Sequence, residues 1–88
     1  MEREFTICNP EGLHARPAAK FVKLSSRFTS DIWVRRDDEE VNGKSIMGLM
    51  MLAAEKGAVI LVSADGSDAE TALDQLGELI NSGFTKEP

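Results

Sequence analysis

One histidine occurs in 88 residues, and it lies in the stretch Gly12–Phe21, GLHARPAAKF. Arg16 stands two places after His14 and Pro17 follows directly. A proline suits the first turn of a helix, because its missing N–H would have no intrahelical partner there. The spacing therefore places His14 just ahead of a helix, with the first-turn amides pointing back toward it. That end of a helix favours an anion. The planar guanidinium of Arg16 matches phosphate oxygens. A neutral imidazole is available near pH 7 and is a competent nucleophile. Together these parts describe a histidine that accepts a phosphoryl group, with amides and guanidinium holding the developing charge. The same residues also fit a plain surface histidine or a helix cap. One histidine and one cysteine, Cys8, cannot make a closed zinc site, so no metal is expected. A Cys8–His14 nucleophile pair has little to support it: Cys8 falls in a strand pattern with Glu4 and Thr6 on its face, and nothing nearby would lower its pKa.

The elements that must position His14 follow from periodicity. Arg3–Cys8 alternates, with Phe5 and Ile7 on one face and Glu4 and Thr6 on the other, a half-buried strand. The NPEG stretch breaks it. From Arg16 to about Phe28, the residues Ala18, Phe21, Leu24 and Phe28 recur at near-helical spacing. Asp31–Arg36 is strand-like, Asp37–Glu40 (DDEE) reads as a solvated hairpin turn, and Glu40–Gly43 as a short return strand. Ser45–Gly57 reads as a helix ended by Gly57. Ala58–Ala64 is a strongly apolar strand. The last helix starts on a capping box of Ser67 and Glu70, shows a stripe of Ala69, Ala72, Leu73, Leu76 and Ile80, and has Gly83 at its C-cap. The order is βαββαβα, and one sheet with helices on one face is its simplest packing.

Composition narrows the function. The length fits one small domain spanning residues 1–88, and 42% hydrophobic residues allow a thin core. A formal net charge of −5 argues against a nucleic-acid partner. One cysteine allows no internal disulfide. No stretch approaches the roughly 20 apolar residues that span a bilayer, and the charged start MEREFTIC lacks the apolar core of a signal peptide. The expectation is a cytoplasmic protein with no membrane association.

Two motifs in order carry a family resemblance. GLHARPAAKF resembles the active-site segment of the HPr family, the histidine-containing phosphocarriers of the bacterial phosphotransferase system. VNGKSIMGLMML is similar to that family's second signature, around a regulatory serine. The resemblance covers essentially the whole chain. It implies an α+β open-faced β-sandwich, a four-stranded antiparallel sheet covered on one face by three helices. It implies phosphorylation of His14 on Nδ1, with Arg16 beside it and no cofactor. The donor would be phospho-enzyme I, charged by phosphoenolpyruvate, and the acceptor an EIIA protein or domain. Ser45 matches the serine that a dedicated ATP-dependent kinase, HPr kinase/phosphorylase, modifies in some members. Such a protein is itself turned over as a carrier rather than acting as a free-standing enzyme, and is expected as a monomer. The ending INSGF is similar to the nitrogen-branch members, so the sugar and nitrogen branches both stay open. The alternative within the family is a mainly regulatory binding module with little phosphoryl flux; the presence of both His14 and Arg16 favours the carrier. Some members end near Phe84, placing their terminal carboxylate by the active centre, whereas here TKEP follows.

Ser45 suits an N-cap on the residues alone. The helix after it is apolar nearly all round. If Leu49, Leu52 and Ala53 face the core, Met47, Met50 and Met51 face away, and flexible exposed methionines suit a surface that fits several partners. Burial in a dimer or under loops is the other reading. Lys20, Lys23, Arg27 and Lys44 are placed to ring this patch with positive charge, or to be ordinary solvated cations.

Overall fold

Seven elements follow one another in the computed structural model, which describes residues 1–87. They are β1 (Glu2–Thr6), α1 (Ala15–Ser25), β2 (Asp31–Arg36), β3 (Glu39–Asn42), α2 (Ile46–Met51), β4 (Val59–Asp65) and α3 (Ala69–Asn81). The strands form one antiparallel sheet in the order β1-β4-β2-β3. The three helices cover one face, an open-faced sandwich. Period-two alternation sets which face is covered. Ile32 and Val34 of β2 and Ile60, Val62 and Ala64 of β4 turn inward, and the register places Val34 opposite Val62 and Phe5 opposite Ile60. Phe21 of α1, Leu49 of α2 and Leu73, Leu76 and Ile80 of α3 close over them and are fully buried. Each such side chain contributes on the order of 1.5–3 kcal/mol by leaving water.

Several boundaries depart from the periodicity. The hairpin turn is only Asp37–Asp38, since Arg36 already pairs with Glu39, and Glu39 and Glu40 belong to the return strand. Asp37 takes a positive φ of 54°, which aspartate tolerates better than most residues. Helix α1 stops at Ser25, and the amides of Arg27 and Phe28 turn to Leu24 and Ser25 in a tightened turn that still half-buries Phe28. Helix α2 ends at Met51 rather than running to Gly57. The amides of Leu52 and Ala53 fall back to Leu49 and Met50, and Ala53 takes a φ of 49°. Ala53 is therefore exposed, not core-facing, while Leu49 and Leu52 are buried as read.

At α3 the apolar stripe is buried as its spacing required. Its start differs: the N-cap is Asp68, and no box closes between Ser67 and Glu70. The Asp68 carboxylate instead accepts from the Thr29 and Ser30 amides at 2.9 and 3.0 Å, and from both hydroxyls. The helix end uses Gly83 (φ 71°) one place beyond the C-cap Ser82. The Gly83 amide donates to Ile80 and the Phe84 amide to Leu79, both at 3.0 Å, a Schellman closure that drives Phe84 into the core. No helix among the described residues is long and apolar enough to cross a membrane.

Candidate functional site

His14 is exposed, but the residues leading to it are pinned. Past β1, the Ile7 amide donates to the Ala58 carbonyl at 2.9 Å and the Ile7 carbonyl accepts from Gly57 at 2.7 Å, which extends the pairing with the chain entering β4. Asn9 is buried, and its side-chain amide donates to the Gly12 carbonyl at 2.9 Å and to the Glu11 carboxylate at 3.1 Å. Gly12 has a φ of 67°, and a Cβ there would lie 2.4 Å from the Ala54 carbonyl oxygen, so only glycine passes. One residue later the Leu13 amide donates to that same carbonyl at 2.8 Å, with the Leu13 side chain buried.

This delivers His14 as the N-cap residue of α1, its backbone extended and its carbonyl accepting the Ala18 amide at 2.9 Å. Among the described residues, neither ring nitrogen has a hydrogen-bond partner. The amides of Ala15 and Arg16 likewise donate to no protein acceptor, and Pro17, third in the helix, has none to offer. These are the free N–H groups that an anion at a helix start would take up. Arg16 is exposed and makes no ion pair among the described residues.

Two depressions flank the imidazole. One, of about 530 Å³, is lined by Glu11, His14, Arg16, Pro17, Lys20 and Phe84. The other, of about 410 Å³, joins His14 and Leu13 to Met50, Ala53, Ala54 and Glu55. Glu11 is held below the ordinary carboxylate range, first by the Asn9 amide and its own backbone N–H, with the fields of His14 and Arg16 adding to them. Its charge opposes an incoming anion, while Arg16, Lys20 and the free amides favour one.

The other residues singled out in the sequence fall as follows. Ser45 is the N-cap of α2, its hydroxyl accepting the Gly48 amide at 3.0 Å. Met47, Met50 and Met51 are 76%, 43% and 67% exposed, joined by Ile46 at 40%, a connected apolar surface that reaches His14 through Met50. Lys20 does not border the methionines. It lies on the Phe84 side of His14, donating to the Phe84 carbonyl at 2.8 Å and pairing with Glu87 at 3.3 Å. Lys44 donates to the Phe28 carbonyl at 2.8 Å, which ties the start of α2 to the chain leaving α1. Lys23 is exposed on α1 and Arg27 is exposed in the turn that follows it. Sequence reasoning missed Glu11 and Glu55, and it placed the Phe84 region near the site only through the family resemblance. Glu11 was hidden in a segment read only as a breaker, and Glu55 and the Phe84 side of the depression are brought to the site by the fold.

The family model described as the PTS HPr component phosphorylation site matches residues 1–82. The chain belongs to the HPr family. It is 50% identical over 84 residues to phosphocarrier protein HPr of Neisseria meningitidis serogroup A, covering 96% of this chain and 94% of that one. It resembles the crystal structure of HPr-C-His from Thermoanaerobacter tengcongensis at 49% identity and a TM-score of 0.94, covering 100% and 99% of the two chains. Crh of Bacillus subtilis, solved as a swapped-domain dimer, is similar at 43% identity and a TM-score of 0.77, with 88% of each chain covered. Membership assigns the chain a phosphocarrier role in the phosphotransferase system.

Proposed function

We propose that this HPr-family chain takes a phosphoryl group from phospho-enzyme I onto Nδ1 of His14 and passes it to EIIA proteins. The observation that carries the reading is the imidazole at the N-cap of α1, without a hydrogen-bond partner among the described residues, beside the Ala15 and Arg16 amides, equally unpartnered there, and the Arg16 guanidinium. In the first step a ring-nitrogen lone pair attacks phosphorus, the donor's bond to phosphorus breaks, and its electron pair stays with enzyme I. The second step reverses these roles, with the EIIA nucleophile attacking and the N–P bond of His14 breaking. The amides and Arg16 meet the phosphoryl oxygens throughout, and they serve both directions because they hold charge rather than move protons.

The exposed methionines of α2 adjoin His14, and we read Met47, Met50 and Met51 as part of one docking face for donor and acceptor. Lys23, Arg27 and Lys44 supply positive charge near it, and Lys20 supplies it at the cleft itself. Ser45 caps the helix that carries those methionines, so phosphorylation by HPr kinase/phosphorylase would add charge at the edge of the docking face. The carrier is read as working in the cytoplasm and as a monomer. The reading is tested by incubating the protein with labelled phosphoenolpyruvate and catalytic enzyme I, then adding EIIA. Label should appear first on this chain and then move to EIIA; label that never reaches the chain, or never leaves it, contradicts the proposal.

A further inference from the structure

The turn beneath His14 is held by a side chain that belongs to neither family motif. Arg36 ends β2, and its guanidinium donates to the Leu52 and Ala53 carbonyls at 3.3 and 2.7 Å and to the Glu55 carboxylate at 2.9 Å. Those carbonyls come at the end of α2, where a helix leaves acceptors unsatisfied. Between them and Glu55 lies Ala54, whose carbonyl accepts the Leu13 amide at 2.8 Å. Ala53 holds a left-handed φ of 49°, a conformation an alanine keeps only where its surroundings impose it. Gly12 presses against Ala54 and Glu55 so closely that no Cβ would fit. Ala53, Ala54 and Glu55 also form a wall of the depression shared by His14 and Met50.

We infer that Arg36, with Glu55, is a positioning residue for the phosphoryl-transfer site: it clamps the 52–55 turn whose Ala54 carbonyl anchors Leu13 and so aims His14. The clamp has a second effect. Glu55 stands in the wall beside His14, and pairing with Arg36 holds its carboxylate and offsets its charge, which would otherwise face the incoming phosphoryl group. Arg suits this task better than Lys because one planar fork reaches two carbonyls and a carboxylate together. Among the described residues the Arg36 guanidinium bonds only to Leu52, Ala53 and Glu55, so the Met47 end of the docking surface should be left in place when it is lost.

The inference rests on the phosphohistidine reading, and its test keeps the two apart. Arg36→Met and Arg36→Lys are compared with the unaltered protein by amide hydrogen exchange, thermal melting, and kcat and KM as substrates of enzyme I. Arg36→Met should speed exchange of the Leu13 amide about tenfold while amides in the middle of α3 keep their protection. Its kcat should fall about tenfold with KM within about twofold, and Arg36→Lys should lie between. Unchanged Leu13 exchange, or faster exchange with an unchanged kcat, overturns the inference. Uniformly faster exchange across α3 would make Arg36 a general stabiliser and overturns it equally. Should Arg36→Met not fold, the lysine variant decides by the same readouts. Failure of the unaltered protein to accept phosphate would count against the phosphohistidine reading, while Leu13 exchange would still judge the clamp.

Discussion

Replacing Ser45 by aspartate separates a helix cap from a switch. The Ser45 hydroxyl accepts the Gly48 amide at 3.0 Å and closes the first turn of a six-residue helix. An aspartate caps about as well, and its charge is favoured by the helix N-terminus, so Ser45→Asp should hold stability or raise it by about 0.3 kcal/mol. Ser45→Ala removes the acceptor and should cost about 1 kcal/mol, lowering Tm by roughly 4–8 °C for a domain of this size. Docking moves the other way. The new carboxylate would sit one residue from Ile46 and two from Met47, which are 40% and 76% exposed and would be covered by a partner. Desolvating it against that surface costs on the order of 1–3 kcal/mol, about tenfold to a hundredfold in affinity. The assay is the rate of His14 phosphorylation by sub-saturating enzyme I, measured beside Tm for both variants. The reasoning requires a slow Ser45→Asp with an intact melt and a near-normal Ser45→Ala with a lowered one. A normal rate for Ser45→Asp would reduce Ser45 to a cap. A slow rate with a collapsed melt would show that the cap, and not the charge, was disturbed.

Other outcomes follow from the same geometry. Arg16→Ala should slow transfer to EIIA while shifting stability by less than about 1 kcal/mol, as for an exposed side chain; wild-type transfer would remove Arg16 from the site. Chemical-shift mapping with enzyme I and then with EIIA should perturb Met47, Met50 and the His14 segment in both titrations, and disjoint footprints would refute one shared docking face. Asp68 is held down to about 2 from 3.8, first by the Ser30 hydroxyl and then by the Thr29 amide. A lowered carboxyl stabilises the fold fully above its unfolded value, and that contribution is lost as pH falls from about 4 toward 2. Asp68→Asn should therefore melt lower at neutral pH and show a shallower loss of Tm between pH 4 and 2; parallel acid limbs would contradict the assignment.

The fold was legible wherever apolar spacing alone decides. The α3 stripe of Ala69, Ala72, Leu73, Leu76 and Ile80 and the alternation in β2 and β4 need no knowledge of their neighbours. What misled was local chemistry that a distant partner overrides. Ser67 and Glu70 have the right spacing for a capping box, but Asp68 between them meets Thr29 and Ser30, which the fold brings alongside from 38 and 39 residues away. The apolar run after Met51 favours more helix, yet Arg36 and Leu13 compete for its carbonyls and bend it away. The placement of His14 and Arg16 at a helix start was readable because helix-start chemistry is local. Lys20 was assigned to the wrong side, since its place depends on Phe84, which arrives from the far end of the chain through the Schellman closure of α3. Glu55 and Arg36 carried no local signal at all; only the packing of the 52–55 turn under Gly12 and Leu13 gives them a relation to His14.

The central claim is that one imidazole carries the phosphoryl group. Its most direct test is intact-mass measurement after incubation with phosphoenolpyruvate and enzyme I, followed by mapping of the acid-labile phosphate, on the unaltered protein and on His14→Ala. The prediction is a gain of one phosphoryl group, located on His14, and no gain in a His14→Ala protein whose melt is unchanged. Undiminished labelling of His14→Ala, or a phosphate mapped to any other residue, would contradict it.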